Sequence, residues 1–200
     1  FIKKHEALIL ANRPHAEVLL LYPRTKIHTG DVTVLPPFKT LGKKLLDEHV
    51  LFDIKPDDLA TTDIRSRYRT VIDSTTTTIE QLTTILEKLD RSRFDAPTTV
   101  RVSANQPAQG NELDLYFVNY NREEPAAKNK TGRGLIDEKP LPTPEFTAKF
   151  QLPPNITAKQ VTFHHPESTD STNLIFRQQG TVLECKIPSF LVLGLVRVTW

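Results

Sequence analysis

Glu17-Val18-Leu19-Leu20-Leu21-Tyr22 is apolar from its second residue on, whereas Leu113-Asp114-Leu115-Tyr116-Phe117-Val118-Asn119-Tyr120 puts Leu113, Leu115 and Phe117 on one face. A short continuous run suits a strand covered on both faces, the usual state of a parallel strand under helices. Alternation suits an antiparallel strand with one wet face. The two stretches therefore belong to halves built differently, and the composition changes between them, near Arg91 to Pro97. The reading is a two-domain α+β chain: a small, shortened α/β unit over 1–92, then an antiparallel β-sandwich over 98–200.

Around the apolar run the first half alternates strand and helix patterns. Phe1 to Ala11 reads as a helix, ended by Asn12-Arg13-Pro14 because proline disfavours helix in the residue before it. Pro23 to Thr33 reads as a polar loop. Phe38, Leu41, Leu45 and His49 then recur at helical spacing, behind Pro36 and Pro37 in the first turn, where proline is tolerated. Leu51 to Ile54 and Thr70 to Ile72 are further short strands. Thr78 with Gln81 forms a capping-box pattern, opening a helix whose apolar face is Ile79, Leu82, Leu86 and Leu89.

In the second half every periodic segment reads as strand. Besides the 113–120 stretch these are Thr98 to Ala104, Phe146 to Leu152, the pair Val161 and Phe163, Leu174 to Arg177, Thr181 to Ile187 and Phe190 to Thr199. Gln178-Gln179-Gly180 is a hairpin connection. Six or seven such strands make a sandwich or small barrel. The segment 122–144 is charged, rich in Gly and Pro and poor in apolar residues, and is expected to be a long mobile loop.

Bulk composition removes several function classes. Twenty-six Lys and Arg against 24 Asp and Glu leave a net charge of +2, with no basic block to argue for nucleic acid. No stretch approaches the roughly 18–20 apolar residues of a membrane helix. One cysteine, Cys185, excludes an intrachain disulfide and any multi-cysteine metal site. There is no Met at all, so the chain reads as a processed product or a piece of a longer protein, its compartment unmarked.

Several motifs carry a resemblance. Tyr22-Pro23-Arg24, Gly30-Asp31, Val34-Leu35-Pro36-Pro37-Phe38, Leu41-Gly42 and Leu45-Leu46-Asp47 resemble the accessory α/β domain that follows the catalytic barrel in β-galactosidase-like glycoside hydrolases of the family 42 type. Leu113 to Asn121 is similar to a strand of the β domains that end such enzymes, and Ile187-Pro188-Ser189-Phe190-Leu191-Val192 to their final strand. The resemblance implies a flavodoxin-like α/β unit without flavodoxin chemistry, often a trimer contact, packed beside a β domain. It also implies that the catalytic carboxylates sit on a preceding barrel of roughly 250 residues. No residue of this chain inherits their role. The α/β unit is shorter than the family's by its last strand and helix, which weighs against trimer formation.

Other candidate chemistry is sparse. Glycoside hydrolysis needs two carboxylates facing a cleft. Glu123-Glu124 and Asp57-Asp58 are adjacent pairs, which diverge on a strand. His164-His165 lacks a third metal ligand at sensible spacing. Thr25 to Thr33 sits where a flavodoxin places its phosphate loop, with Thr29, Gly30 and Thr33 of the right character, although Pro36 and Pro37 remove two donors. Asn119, Tyr120, Asn121 and Arg122 combine hydrogen-bonding groups with a ring, as sugar sites do.

The leading expectation is thus a non-catalytic accessory region of a glycoside-hydrolase-like protein, shaping an active-site rim or an oligomer. Its partners would be an upstream catalytic barrel or further copies of itself, with no metal or cofactor. The alternatives are a carbohydrate-binding sandwich and a small flavin protein using residues 25–33.

Overall fold

The computed structural model describes residues 12–107, 110–123 and 139–200. The helix expected over 1–11 and most of the 122–144 loop lie outside the described residues.

The opening apolar run is the middle strand of a parallel sheet. Strand β1 is Asn12–Pro14, β2 is Val18–Tyr22, β3 is Phe52–Pro56 and β4 is Thr70–Asp73. The parallel strands lie in the order β3-β2-β4, Leu20 of β2 pairing with Ile54 on one side and Ile72 on the other. Helices α1 (Arg24–His28), α2 (Leu35–Asp47), α3 (Thr62–Arg65) and α4 (Ile79–Lys88) form the connections. On one face Val18, Leu20 and Ile72 pack against Leu41 and Leu45 of α2 and Leu82 and Leu86 of α4. On the other, Leu19 and Leu21 meet Ala60, Ile64 and Tyr68. Both faces of β2 are covered, which is why it shows no alternation.

Local sequence explains the helix ends. The capping box forms as expected: the Thr78 hydroxyl accepts from the Gln81 N–H, and the Gln81 side chain accepts from the Thr78 N–H. Helix α2 stops at Asp47 rather than His49, because His49 turns left-handed at φ 51. The Val50 N–H then reaches the Leu45 carbonyl and the His49 N–H the Leu46 carbonyl, a Schellman ending whose apolar contact is Val50 with Leu45.

The second half forms two antiparallel sheets. Strands β5 (Arg93–Phe94), β6 (Val100–Pro107), β7 (Glu112–Asn119), β8 (Phe146–Gln151), β9 (Gln160–His164), β10 (Thr172–Asn173), β11 (Phe176–Gln179), β12 (Val182–Ile187) and β13 (Leu193–Thr199) order as β1-β6-β7-β13-β9-β10 and β11-β12-β8-β5. Leu113, Leu115 and Phe117 do face the core, where Phe117 meets Phe94 and Phe146 edge-on at ring separations of 5.8 and 5.4 Å. The hairpin turn is Gly180-Thr181, with Gly180 left-handed at φ 59, two residues later than the expected Gln178-Gln179-Gly180.

Other expectations need correction. Asn12-Arg13-Pro14, not read as a strand from the sequence, is one, paired with Pro107, Gln106 and Asn105 at the edge of the six-stranded sheet, a place where proline lacks no needed donor. The short helix α1 occurs where a polar loop was expected, and α3 in a stretch to which the sequence assigned no element. Flavodoxin-like character is not established by three strands; the molecule is mostly antiparallel sheet with few helices.

The two units are tied together by buried polar contacts. Glu17, 3% exposed, accepts from the Ser92 N–H and hydroxyl, and the same hydroxyl accepts from the Gln151 N–H. Burial pushes the Glu17 carboxyl up from its ordinary value, against the pull of the Ser92 hydrogen bonds, Arg69 and Arg91. His49 Nε2 lies 3.1 Å from the Pro97 carbonyl, and Arg101 donates to the Leu46 carbonyl and pairs with Asp47. Leu51, at the entry to β3, belongs to the sandwich core.

Candidate functional site

A parallel sheet of this order has a switch point. From β2 the chain crosses to β3 on one side and then to β4 on the other, and open α/β sheets bind ligands in the crevice at the carboxyl ends of the strands where that reversal occurs. A cavity of about 480 Å³ lies there, lined by Lys26, Asp31, Thr33, Val34 and Pro37 from after β2 and by Ser74 to Thr78 from after β4. The sequence marked its first wall through residues 25–33; it marked the second only as a helix cap.

Most of the backbone around this cavity is engaged. In the first wall the N–H groups of Ile27, Thr29, Gly30, Asp31 and Val32 donate to carbonyls within the segment. Those of Thr25 and Thr33 donate to Asp57 and Asp31. In the second wall Thr75 donates to the Asp73 carboxylate, Thr76 and Thr77 to the Asp73 carbonyl, and Thr78 to Gln81. With Pro36 and Pro37 at the start of α2, no row of N–H groups remains to hold a phosphate. Ligand recognition at this cavity would fall to side chains.

Of the four residues expected to bind sugar, Asn119 has a structural role. Asn119 is 4% exposed; its amide nitrogen donates to the Leu141 and Leu191 carbonyls at 2.7 Å each, and its oxygen accepts from the Asn121 N–H. It stitches together three chain segments. Tyr120 is 57% exposed beside it, Asn121 half-buried, and Arg122 forms a bridge with Pro140. Leu141 and Val192, on the stitched segments, are also exposed, so three large exposed apolar residues lie on segments joined at this end of the sandwich.

The fold is one found in a glycoside hydrolase. The alpha-L-fucosidase isoenzyme 2 from Paenibacillus thiaminolyticus shares it over 100% of this chain at a TM-score of 0.68 and 10% identity. The likeness takes in 51% of the fucosidase, so this chain spans about half its length. A cycloisomaltooligosaccharide glucanotransferase from Paenibacillus sp., complexed with cycloisomaltoheptaose, is similar over 53% of this chain and 16% of its own, at 15% identity and a TM-score of 0.40. No protein-family model and no curated protein matches the chain.

Beside that likeness, the acidic pairs marked in the sequence can be placed. Asp57 accepts from the Thr25 N–H and hydroxyl and from the Asp58 N–H, while Asp58 pairs with Arg24, which holds its carboxyl below the usual range. They fix α1 to the end of β3. Glu123 is exposed and Glu124 lies outside the described residues. Asp114 is fully buried on the outward side of β7, held by two hydrogen bonds from Arg197 at 2.9 and 3.0 Å, with burial raising its carboxyl. His164 bonds Thr162, whereas His165 stacks on Phe163 and meets Glu167 at 2.8 Å. Among the described residues no group of three His, Cys, Asp or Glu could hold a metal, and no helix is long and apolar enough to cross a membrane.

Proposed function

We propose that this chain is a non-catalytic accessory region of a glycoside-hydrolase-like protein of the family 42 type, its α/β unit a shortened flavodoxin-like domain. The observation that carries the reading is the likeness of the whole chain to about half of a fucosidase. The carboxylates described above add support. Asp57, Asp58 and Asp114 are each bound to a neighbouring side chain or backbone group that ties parts of the fold together.

On this reading the exposed Tyr120, Leu141 and Val192 face the partner, a catalytic barrel or another copy of the chain. Exposed large apolar side chains gathered at one end of a domain are what partners cover. The test is to assay the purified chain on p-nitrophenyl α-L-fucoside and β-D-galactoside while measuring its mass by light scattering. No turnover above buffer is expected. Turnover that disappears on replacing a single carboxylate would overturn the reading.

A second reading, sugar binding by the sandwich, draws on the exposed Tyr120 ring beside Asn121 and Arg122. Retention on polysaccharide affinity gels, lost in Tyr120→Ala, would favour it.

A further inference from the structure

We propose that the cavity at the switch point of the parallel sheet binds a neutral, polyhydroxylated small molecule of about monosaccharide size. This is separate from the accessory role and holds whether or not the chain belongs to a hydrolase. It also concerns a different face from the Tyr120 end of the sandwich.

The argument starts from which groups are left over. Ser74 donates to the Leu21 carbonyl, Thr75 to Asp73 and Thr33 to Asp31. These three hydroxyls keep lone pairs to accept with, but their protons are engaged. The Thr76 and Thr77 hydroxyls make no hydrogen bond among the described residues, and Lys26 forms no ion pair among them. Asp31 uses one carboxylate oxygen on Thr33, leaving the second open. The cavity therefore presents an ammonium donor, a carboxylate acceptor and two unengaged hydroxyls that can do either.

Charge then selects the ligand class. A phosphate or carboxylate would meet Lys26 but also the Asp31 carboxylate, with most of the surrounding backbone N–H groups already engaged and no row of them to offset the repulsion. A cation would meet the reverse conflict. A neutral polyol satisfies both: one hydroxyl donates to Asp31, a neighbour accepts from Lys26, and others bond to the threonines. Val34 and Pro37 supply apolar surface for the C–H side of such a molecule. The volume, about 480 Å³, lies within the range of roughly 300–1,000 Å³ for small-molecule sites. The walls are held by the internal hydrogen bonds described above, so little ordering remains to oppose binding.

The experiment is a titration of the ¹⁵N-labelled chain with D-galactose, L-fucose, D-glucose and inorganic phosphate, followed by amide chemical shifts. Saturable sugar binding is expected, with shifts centred on residues 26–34 and 74–78 and none of comparable size from phosphate. The double variant Thr76→Val/Thr77→Val and the single variant Lys26→Met should each weaken it at least tenfold. Tyr120→Ala should leave it unchanged. All these side chains are at the surface, and the wild-type shift map stands even if a variant misfolds. No saturable binding of any sugar would overturn the proposal. So would shifts centred on the Tyr120 end, or phosphate binding more tightly than every sugar.

Discussion

Individual residues here are held by burial as much as by pairing. Among the described residues the Glu17 carboxylate forms no ion pair and meets only the two donors of Ser92. Ser92→Ala removes the hydroxyl donor and leaves the Gln151 N–H without its acceptor, and should lower stability by about 1–3 kcal/mol in urea unfolding. The pH dependence follows from burial raising the Glu17 carboxyl above its unfolded value of 4.5. A raised acid stabilises the fold fully below the unfolded value, and that contribution is lost as pH rises through the folded one. Glu17→Gln keeps an acceptor for Ser92 and removes the charge. Its stability relative to the parent should therefore be more favourable at about pH 8 than at about pH 5. His15, whose ring is pushed down by burial, acts in the opposite direction as pH falls, but it is present in both proteins and drops out of the comparison. A gap that is the same at both pH values would refute the assignment. Gly194 makes a second case: a Cβ there would lie 2.9 Å from Phe163 and 3.1 Å from Phe190, so Gly194→Ala should cost about 1–3 kcal/mol through overpacking. The Cys185 thiol, pushed up to about 12 by burial, should react with a thiol reagent only as fast as the protein unfolds.

Elements whose signals are local could be read from the sequence. The continuous run of β2, the inward set Leu113, Leu115 and Phe117 of β7 and the Thr78–Gln81 cap each depend on residues within one turn or strand. Thr78→Ala should accordingly cost about 1 kcal/mol in denaturant unfolding, since it removes one of the bonds that start α4. Elements defined by distant partners were not legible. Strand β1 is short, polar and ends in proline, and only its pairing with Asn105 to Pro107 makes it a strand. The sandwich sites behave likewise: Asn119 was marked only as one of a run of hydrogen-bonding groups, and its bonds to Leu141 and Leu191 depend on segments brought in from far along the chain. The switch-point cavity was half visible, because Thr33 and Asp31 flank a helix start. Ser74 to Thr78 join them only through the strand order β3-β2-β4, which periodicity does not encode. Helices α1 and α3, of five and four residues, are too short to produce a periodic signal.

At the scale of the whole molecule the α/β unit and the sandwich should unfold together. Three parallel strands bury a limited core, and small units that bury little surface are marginal alone. This unit leans on its neighbour instead. Leu51 sits in the sandwich core at the start of β3, Glu17 is held by Ser92, and the end of α2 is tied by His49 to Pro97 and by Arg101 to Leu46. The two halves can be followed separately. Trp200, the single tryptophan, packs against the sandwich core, while helices α2 and α4 belong to the α/β unit. Tryptophan fluorescence thus follows one half, and far-UV circular dichroism in the helical band follows the other. Their denaturant curves should coincide, the mark of a two-state transition. Leu51→Ala should shift both by the same amount, a loss of about 2–5 kcal/mol for a large-to-small change in a packed core. If the helical signal is lost well before the fluorescence changes, the buried contacts between the units are too weak to couple them. If Leu51→Ala moves only the helical curve, its side chain supports the α/β unit alone, and the coupling rests on the polar contacts of Glu17, His49 and Arg101.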